Sequence, residues 1–183
     1  MTDVLVAFHT LEGQTAKVAA RIAETMRKAG ATVEVRPVTA DPSPGVFDAV
    51  VLGDSIHAGH HSKHLERYVR RHLEVLNAKP TALFQVSLTS ANPDERHTAD
   101  ARRMVDELVH RTGFAPRAVG MFAGAVAYTK YGPMKRRLMR WIVKREQGDT
   151  DISRDFEYTD WDAVDAFARA VLSSAEPAAA RRD

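Results

Sequence analysis

The sequence predicts an α/β fold, a three-layer sandwich on a five-stranded parallel sheet in the order 2-1-3-4-5. Three observations point there. Short apolar, β-prone runs alternate with segments of helical periodicity, the pattern of βαβ units. The run from Phe47 to Gly53 is apolar but for Asp48 and does not alternate, as expected of a strand buried on both faces. Small polar loops follow the first, third and fourth runs. These are carboxyl ends of strands, beside the switch point where such a sheet binds its ligand.

The first strand is Val4-Leu5-Val6-Ala7-Phe8, and Val18, Ala19, Ile22, Ala23 and Met26 then recur at helical spacing. Gly30 ends that helix and Thr32 to Val38 reads as strand two. Asp41-Pro42-Ser43-Pro44-Gly45 is a loop before strand three, Phe47 to Gly53. Gly53 to His60 reads as another loop, and His64 to Leu76 as a helix through Leu65, Tyr68, Val69, Leu73 and Leu76. Strand four is Thr81 to Leu88, followed by the loop Thr89-Ser90-Ala91-Asn92-Pro93 and a helix from Asp94 to Arg111. Thr112 to Pro116 turns the chain into strand five, Ala118 to Ala123. The last helix starts at Thr159-Asp160-Trp161-Asp162, a sequence like a capping box, and continues through Val164, Phe167, Ala168, Val171 and Leu172. Residues 1–174 are expected to form one domain, with an insertion at 127–158 and a frayed Ala/Arg tail at 175–183.

A chain of 183 residues suits one domain with a sizeable core. The absence of cysteine excludes a disulfide framework, thiolate ligation of iron–sulfur clusters and a cysteine nucleophile. No apolar run approaches the roughly 20 residues of a membrane span, and no signal peptide is visible. A cytoplasmic protein is expected, with room for a peripheral contact on the inner face of the cell membrane. Net charge is only +2, but the pI is near 9.0, so the placement of positive charge matters.

The turn after strand one, His9-Thr10-Leu11-Glu12-Gly13-Gln14-Thr15, opens a helix. Such a turn offers free N–H groups and the positive end of a helix dipole, which suits an anion. Gly13 allows close backbone approach, and Thr10 and Thr15 add hydroxyls. There is no Gly-Lys-[Ser/Thr] and no Gly-x-Gly-x-x-Gly, so neither the triphosphate P-loop nor the dinucleotide fingerprint is present. Glu12, Asp54 and Asp94 lie in or beside the three loops, where carboxylates cap helices or bias the charge of a bound group. His57, His60, His61 and His64 cluster without a completing cysteine or carboxylate set. They read as surface or pocket-rim residues, and no metal site is expected.

From Tyr128 to Arg145 there are seven Lys or Arg and no acid. Met134 to Arg145 reads as a helix with Met134, Leu138, Trp141 and Ile142 on one side and Arg136, Arg137, Arg140 and Lys144 on the other. That pattern suits an interfacial helix, and it also suits a helix packed on its own domain with a solvated basic face. A nucleic-acid surface is a weaker third reading, because the aromatics are not interleaved as a stacking platform.

Four segments carry a resemblance: Thr10-Leu11-Glu12-Gly13-Gln14-Thr15, Gly53 to His60, Phe122-Ala123-Gly124-Ala125 and Tyr158-Thr159-Asp160-Trp161. Together with the basic insertion, they resemble the flavodoxin-like, menaquinone-dependent protoporphyrinogen IX dehydrogenases, from the first strand to about Leu172. The Thr-x-x-Gly-Gln-Thr loop alone is shared with flavodoxins generally. His9 departs from the small hydroxyl residue common there. The resemblance implies FMN and oxidation of protoporphyrinogen IX to protoporphyrin IX with a membrane quinone as acceptor, a step of haem biosynthesis. The redox step would lie at flavin N5, and no side chain is assigned a catalytic role. It implies cofactor contacts from Thr10, Leu11, Glu12, Gly13, Gln14 and Thr15, from Ser55, Ile56, His57 and Gly59, from Ser87, Leu88, Thr89, Ser90, Ala91 and Asn92, and from Gly124. It further implies substrate or membrane contacts from Tyr128, Lys130, Tyr131, Lys135, Arg136, Arg137, Arg140 and Trp141. One terminal phosphate loop and no motif for an adenylate half favour FMN over FAD. The alternative is a flavodoxin-like electron carrier or quinone reductase whose insertion docks a protein partner. The basic balance argues against a shuttle that docks on basic partners.

Overall fold

The computed structural model describes residues 1–91, 95–126 and 155–175. The parallel sheet has the expected order β2-β1-β3-β4-β5. Its strands are β1 (Asp3–Phe8), β2 (Thr32–Pro37), β3 (Ala49–Ser55), β4 (Thr81–Ser87) and β5 (Ala118–Ala123). Helix α1 (Gln14–Lys28) follows β1, and α2 (Lys63–Arg71) with α3 (Leu73–Ala78) joins β3 to β4. Helix α4 (Glu95–Thr112) joins β4 to β5, and α5 (Trp161–Ala175) completes the domain.

Strand alternation builds two cores. Val4 and Val6 of β1, with Ala49 and Val51 of β3, face Val18, Ile22 and Met26 of α1 and Val164, Ala168 and Val171 of α5. Leu5, Ala7, Val50 and Leu52 face Leu65 and Val69 of α2, Leu76 of α3, and Val105 and Leu108 of α4. Burying each such Val, Leu, Ile or Met side chain contributes about 1.5–3 kcal/mol, which fixes the register of every strand.

Several boundaries differ from expectation. Strand β3 starts at Ala49, because Pro44–Val46 forms a 3₁₀ turn that holds Phe47 outside the ladder. It also runs two residues further, since Asp54 and Ser55 pair with Gln85 and Val86 of β4. Ser55 is therefore a strand residue and not a loop residue. Strand β2 stops at Pro37, and Val38 begins another 3₁₀ turn. The single helix expected from His64 to Leu76 is two, broken at His72 (φ −112°, ψ 18°), whose ring is tied to Asp41 at 2.9 Å. The last helix is capped by Asp160, which accepts from the Ala163 N–H, and not by Thr159. Its end, Ala175, belongs to the helix, where the tail was expected to begin.

After β5, two short strands pair antiparallel: β6 (Ala125–Val126) and β7 (Phe156–Glu157). They form the neck of the segment expected to be an insertion. Tyr128, Lys130, Tyr131, Lys135, Arg136, Arg137, Arg140 and Trp141 lie outside the described residues, as does Asn92. Among the described residues, no helix is long and apolar enough to cross a membrane.

Candidate functional site

The carboxyl edge of the sheet holds a cavity of about 580 Å³ where β1, β3 and β4 end. Three loops and one helix face build its walls.

The first wall is the turn from β1 into α1. Gly13 stands at φ 94°, a conformation that favours glycine, and its N–H donates to the Thr10 hydroxyl at 3.0 Å. The turn thereby closes on itself and α1 begins at Gln14. The first intrahelical bond runs from the Lys17 N–H to the Gly13 carbonyl, so the N–H groups just before it have no helical acceptor. No acidic residue occupies the first turn of α1, and the dipole end is left for an anion. Thr10, Glu12, Gln14 and Thr15 line the cavity. Leu11 does not: it projects outward and is 63% exposed.

The second wall leaves β3 through Ser55, Ile56, His57, Ala58 and Gly59. His57 and His60 exchange backbone hydrogen bonds at 3.2 and 3.1 Å around Ala58 (φ 50°) and Gly59 (φ 78°). Two consecutive positive φ values are the signature of a tight two-residue hairpin turn. The third wall follows β4 through Val86, Ser87, Leu88 and Thr89. Ser90 turns back onto Ser87, hydroxyl to hydroxyl at 2.8 Å, and shapes this loop from behind. Ala91 closes the same 3₁₀ turn. Gly124 and Ala125 close the cavity from the insertion neck, where Gly124 N–H donates to the Ser87 carbonyl.

The neck is fastened to the phosphate-type loop. Gln14 Nε2 donates to the Thr159 hydroxyl at 2.8 Å, which donates to the Ala123 carbonyl at 2.8 Å. Beside it, Glu157 accepts from Lys17 at 2.8 Å and from the Trp161 indole at 3.0 Å. The carboxyl of Glu157 is held below its ordinary value, first by the Lys17 hydrogen bond.

One wall had no counterpart in the expected contacts. Arg96, His97, Asp100, Arg103 and Met104 of α4 also line the cavity. Their spacing puts them on one helical face, so the amphipathic pattern was visible. Which neighbour that face meets depends on the tertiary packing. Arg103 pairs with Glu107 at 2.8 Å and Asp100 at 3.7 Å.

Of the expected histidine cluster, His61 turns inward and accompanies His9 at the carboxylate of Asp54, each Nδ1 at 3.2 Å. Among the described residues, no group of three or more His, Cys, Asp or Glu is arranged to hold a metal ion.

The donor set fits a flavin mononucleotide. The Thr15 and Ser55 hydroxyls are buried at 1% and 8% exposure, and neither has a protein partner. Both belong to residues that line the cavity, one at the dipole end of α1 and one at the end of β3. Buried hydroxyls normally find partners, so two orphans in one cavity mark a ligand's polar groups.

Comparison with known proteins agrees with this geometry. A family model described as a flavodoxin domain matches residues 5–153. Protoporphyrinogen IX dehydrogenase (quinone) of Escherichia coli K12 is 30% identical over 169 residues, covering 91% of this chain and 93% of that protein. A protein of the same name from Leishmania major is 38% identical over 122 residues, covering 67% of this chain and 52% of the relative. Among solved structures, oxidised flavodoxin 2 from Bacillus cereus superimposes with a TM-score of 0.57 at 16% identity, over 94% of this chain and 99% of that one. That last likeness is one of fold.

Proposed function

We infer function from the premise that the chain belongs to the flavodoxin-domain family. It is an FMN-dependent oxidoreductase, and we propose that it oxidises protoporphyrinogen IX to protoporphyrin IX with a quinone as electron acceptor. The observation that carries the flavin is the pair of orphaned hydroxyls, Thr15 and Ser55, in one cavity. The names of the relatives support the substrate and acceptor.

The residues divide the task. The Thr10–Thr15 turn, with α1 behind it, would hold the phosphate through N–H groups and hydroxyls. The hairpin at His57–His60 and the loop Ser87–Thr89 would flank the ring. Bound FMN supplies two-electron redox chemistry at N5, and the protein supplies position and electrostatics. The α4 face brings two guanidinium groups, Arg96 and Arg103, to the cavity wall. Carboxylates of a porphyrinogen are a suitable counterpart. Insertion residues Lys130, Lys135, Arg136, Arg137 and Arg140 would add positive charge toward substrate or anionic lipid, with Tyr128, Tyr131 and Trp141 as apolar partners.

Two measurements test this reading. Apo-protein is titrated with FMN and with riboflavin. FMN should bind more tightly, and Thr15→Ala should cost FMN about 1–2 kcal/mol with little effect on riboflavin. Anaerobic turnover of protoporphyrinogen IX with a quinone, followed by porphyrin fluorescence, should proceed without a reductase. Equal affinity for the two flavins would remove the phosphate loop. Dependence on a reductase partner would favour an electron carrier.

A further inference from the structure

Behind the flavin loops lies a buried polar cluster whose members, Asp54, His9 and His61, do not themselves line the cavity. The side chain of Asp54 is fully buried at the end of β3, on the face that carries Val50 and Leu52. Its Oδ1 meets His9 Nδ1 at 3.2 Å. Its Oδ2 meets His61 Nδ1 at 3.2 Å and accepts the Ser62 N–H at 2.6 Å. An ionised carboxylate only accepts, which places a proton on Nδ1 of both rings. Burial alone would push this carboxyl up, but the hydrogen bonds from His61, His9 and Ser62 outweigh it and hold it below its ordinary value.

The arrangement has a mechanical meaning. Asp54 precedes the His57–His60 hairpin, and His61 and Ser62 follow it, so the carboxylate bonds across the hairpin's base. The third partner, His9, is the first residue of the phosphate-type turn, and its backbone N–H also donates to the Gly53 carbonyl at 2.9 Å. The His9 ring stacks on His64 of α2 with centroids 4.9 Å apart. Ser62 in turn caps α2 by accepting the Leu65 N–H at 3.1 Å. One carboxylate thus ties together two loops and one helix start. An apolar residue at position 9 would leave Oδ1 buried without its donor, and one at position 61 would leave Oδ2 with the Ser62 N–H alone.

We propose that Asp54, His9 and His61 form a positioning clasp that fixes the phosphate-type turn and the His57–His60 hairpin relative to each other, and so sets FMN affinity. This rests on the FMN reading. The test exploits chemistry. Asparagine can place an amide donor where imidazole Nδ1 stands, whereas leucine fills similar space and donates nothing.

His61→Asn, His61→Leu, His9→Asn and His9→Leu are prepared in the full chain. FMN dissociation constants and amide exchange of residues 56–62 in the FMN-free protein are then measured. The asparagine variants are expected within about threefold of wild type in both readouts. The leucine variants are expected to weaken FMN and to accelerate exchange by about tenfold or more, the scale of a hydrogen bond to a charged group. Leucine variants that match their asparagine counterparts would overturn the clasp, because space-filling alone would then explain both positions. If a leucine variant does not fold, its asparagine counterpart decides, and a tenfold loss there also overturns the proposal. Wild-type protein that fails to bind FMN would refute the cofactor reading, while the exchange order would still test the clasp.

Discussion

Replacing Thr159 by valine is the sharpest probe of how the insertion neck and the cofactor loop depend on each other. Valine keeps the β-branched shape and removes one hydroxyl. That hydroxyl accepts from Gln14 Nε2 at 2.8 Å and donates to the Ala123 carbonyl at 2.8 Å. Gln14 and Ala123 are each 8% exposed, so water replaces the lost partner poorly. Two hydrogen bonds at about 1 kcal/mol each, with part of the penalty for stranded polar groups, give a loss of about 2–3 kcal/mol. For a urea slope of about 2 kcal/mol per molar, the unfolding midpoint should fall by about 1–1.5 M. The assay is equilibrium urea unfolding of the FMN-free protein, with Thr159→Ser as the control that retains donor and acceptor. FMN affinity should fall in parallel, since Gln14 is the first residue of α1 and adjoins Thr15. If Thr159→Val lies within about 0.5 kcal/mol of Thr159→Ser, the relay is not holding the neck to the loop and the reasoning fails.

Two further outcomes are expected. A methyl group added at Gly53 would sit 2.1 Å from Cζ of Phe84, a fully buried ring, so Gly53→Ala should destabilise by about 2–3 kcal/mol in urea, near the top of the overpacking range. Phe84→Leu in the same chain should recover part of that loss, and an unchanged midpoint in the single variant would show that the ring has room to move. Asp165 is held down to about 2, first by the Arg21 hydrogen bond and then by the Thr25 hydroxyl. Its folded value lies below its unfolded one, so its contribution is complete above about pH 4 and is lost as pH falls toward 2. The stability gap between wild type and Asp165→Asn should therefore narrow from pH 5 to pH 2, and a constant gap in acid unfolding would count against the pairing.

The sheet order was legible because its signals are local. Strand β5 matches its expected span, Ala118 to Ala123, end to end, since Pro116 before it and Gly124 after it punctuate the apolar run. The end of β3 was not legible. Asp54 and Ser55 look like loop residues, and only their pairing with Gln85 and Val86 makes them strand. Three small-residue loops at strand ends were enough to locate the cavity and most of its walls. The Asp54 cluster was hidden, because His9 and Asp54 are 45 residues apart; alone, Asp54 reads as a helix cap and His9 as a departure from the loop's usual hydroxyl residue. In the sequence Thr159 reads as a helix cap, but the neighbouring Asp160 caps α5, which frees Thr159 to bond across to Gln14. In each case a short polar side chain had several local uses, and a distant segment decided among them.

The neck has a consequence for how such a domain can be rebuilt. Val126 pairs with Phe156 and Ala125 with Glu157, so the chain departs and returns at adjacent points. Tyr158 N–H donates to the Gly124 carbonyl, and Gly124 N–H donates to the Ser87 carbonyl, anchoring the junction in the sheet. A junction of this kind works as a splice site. Segments of different length can be grafted between its two strands for an entropic difference that grows only with the logarithm of length, about 0.6 kcal/mol per doubling. Chimaeras that exchange the segment between relatives would then measure what the segment contributes while the flavin scaffold is held constant.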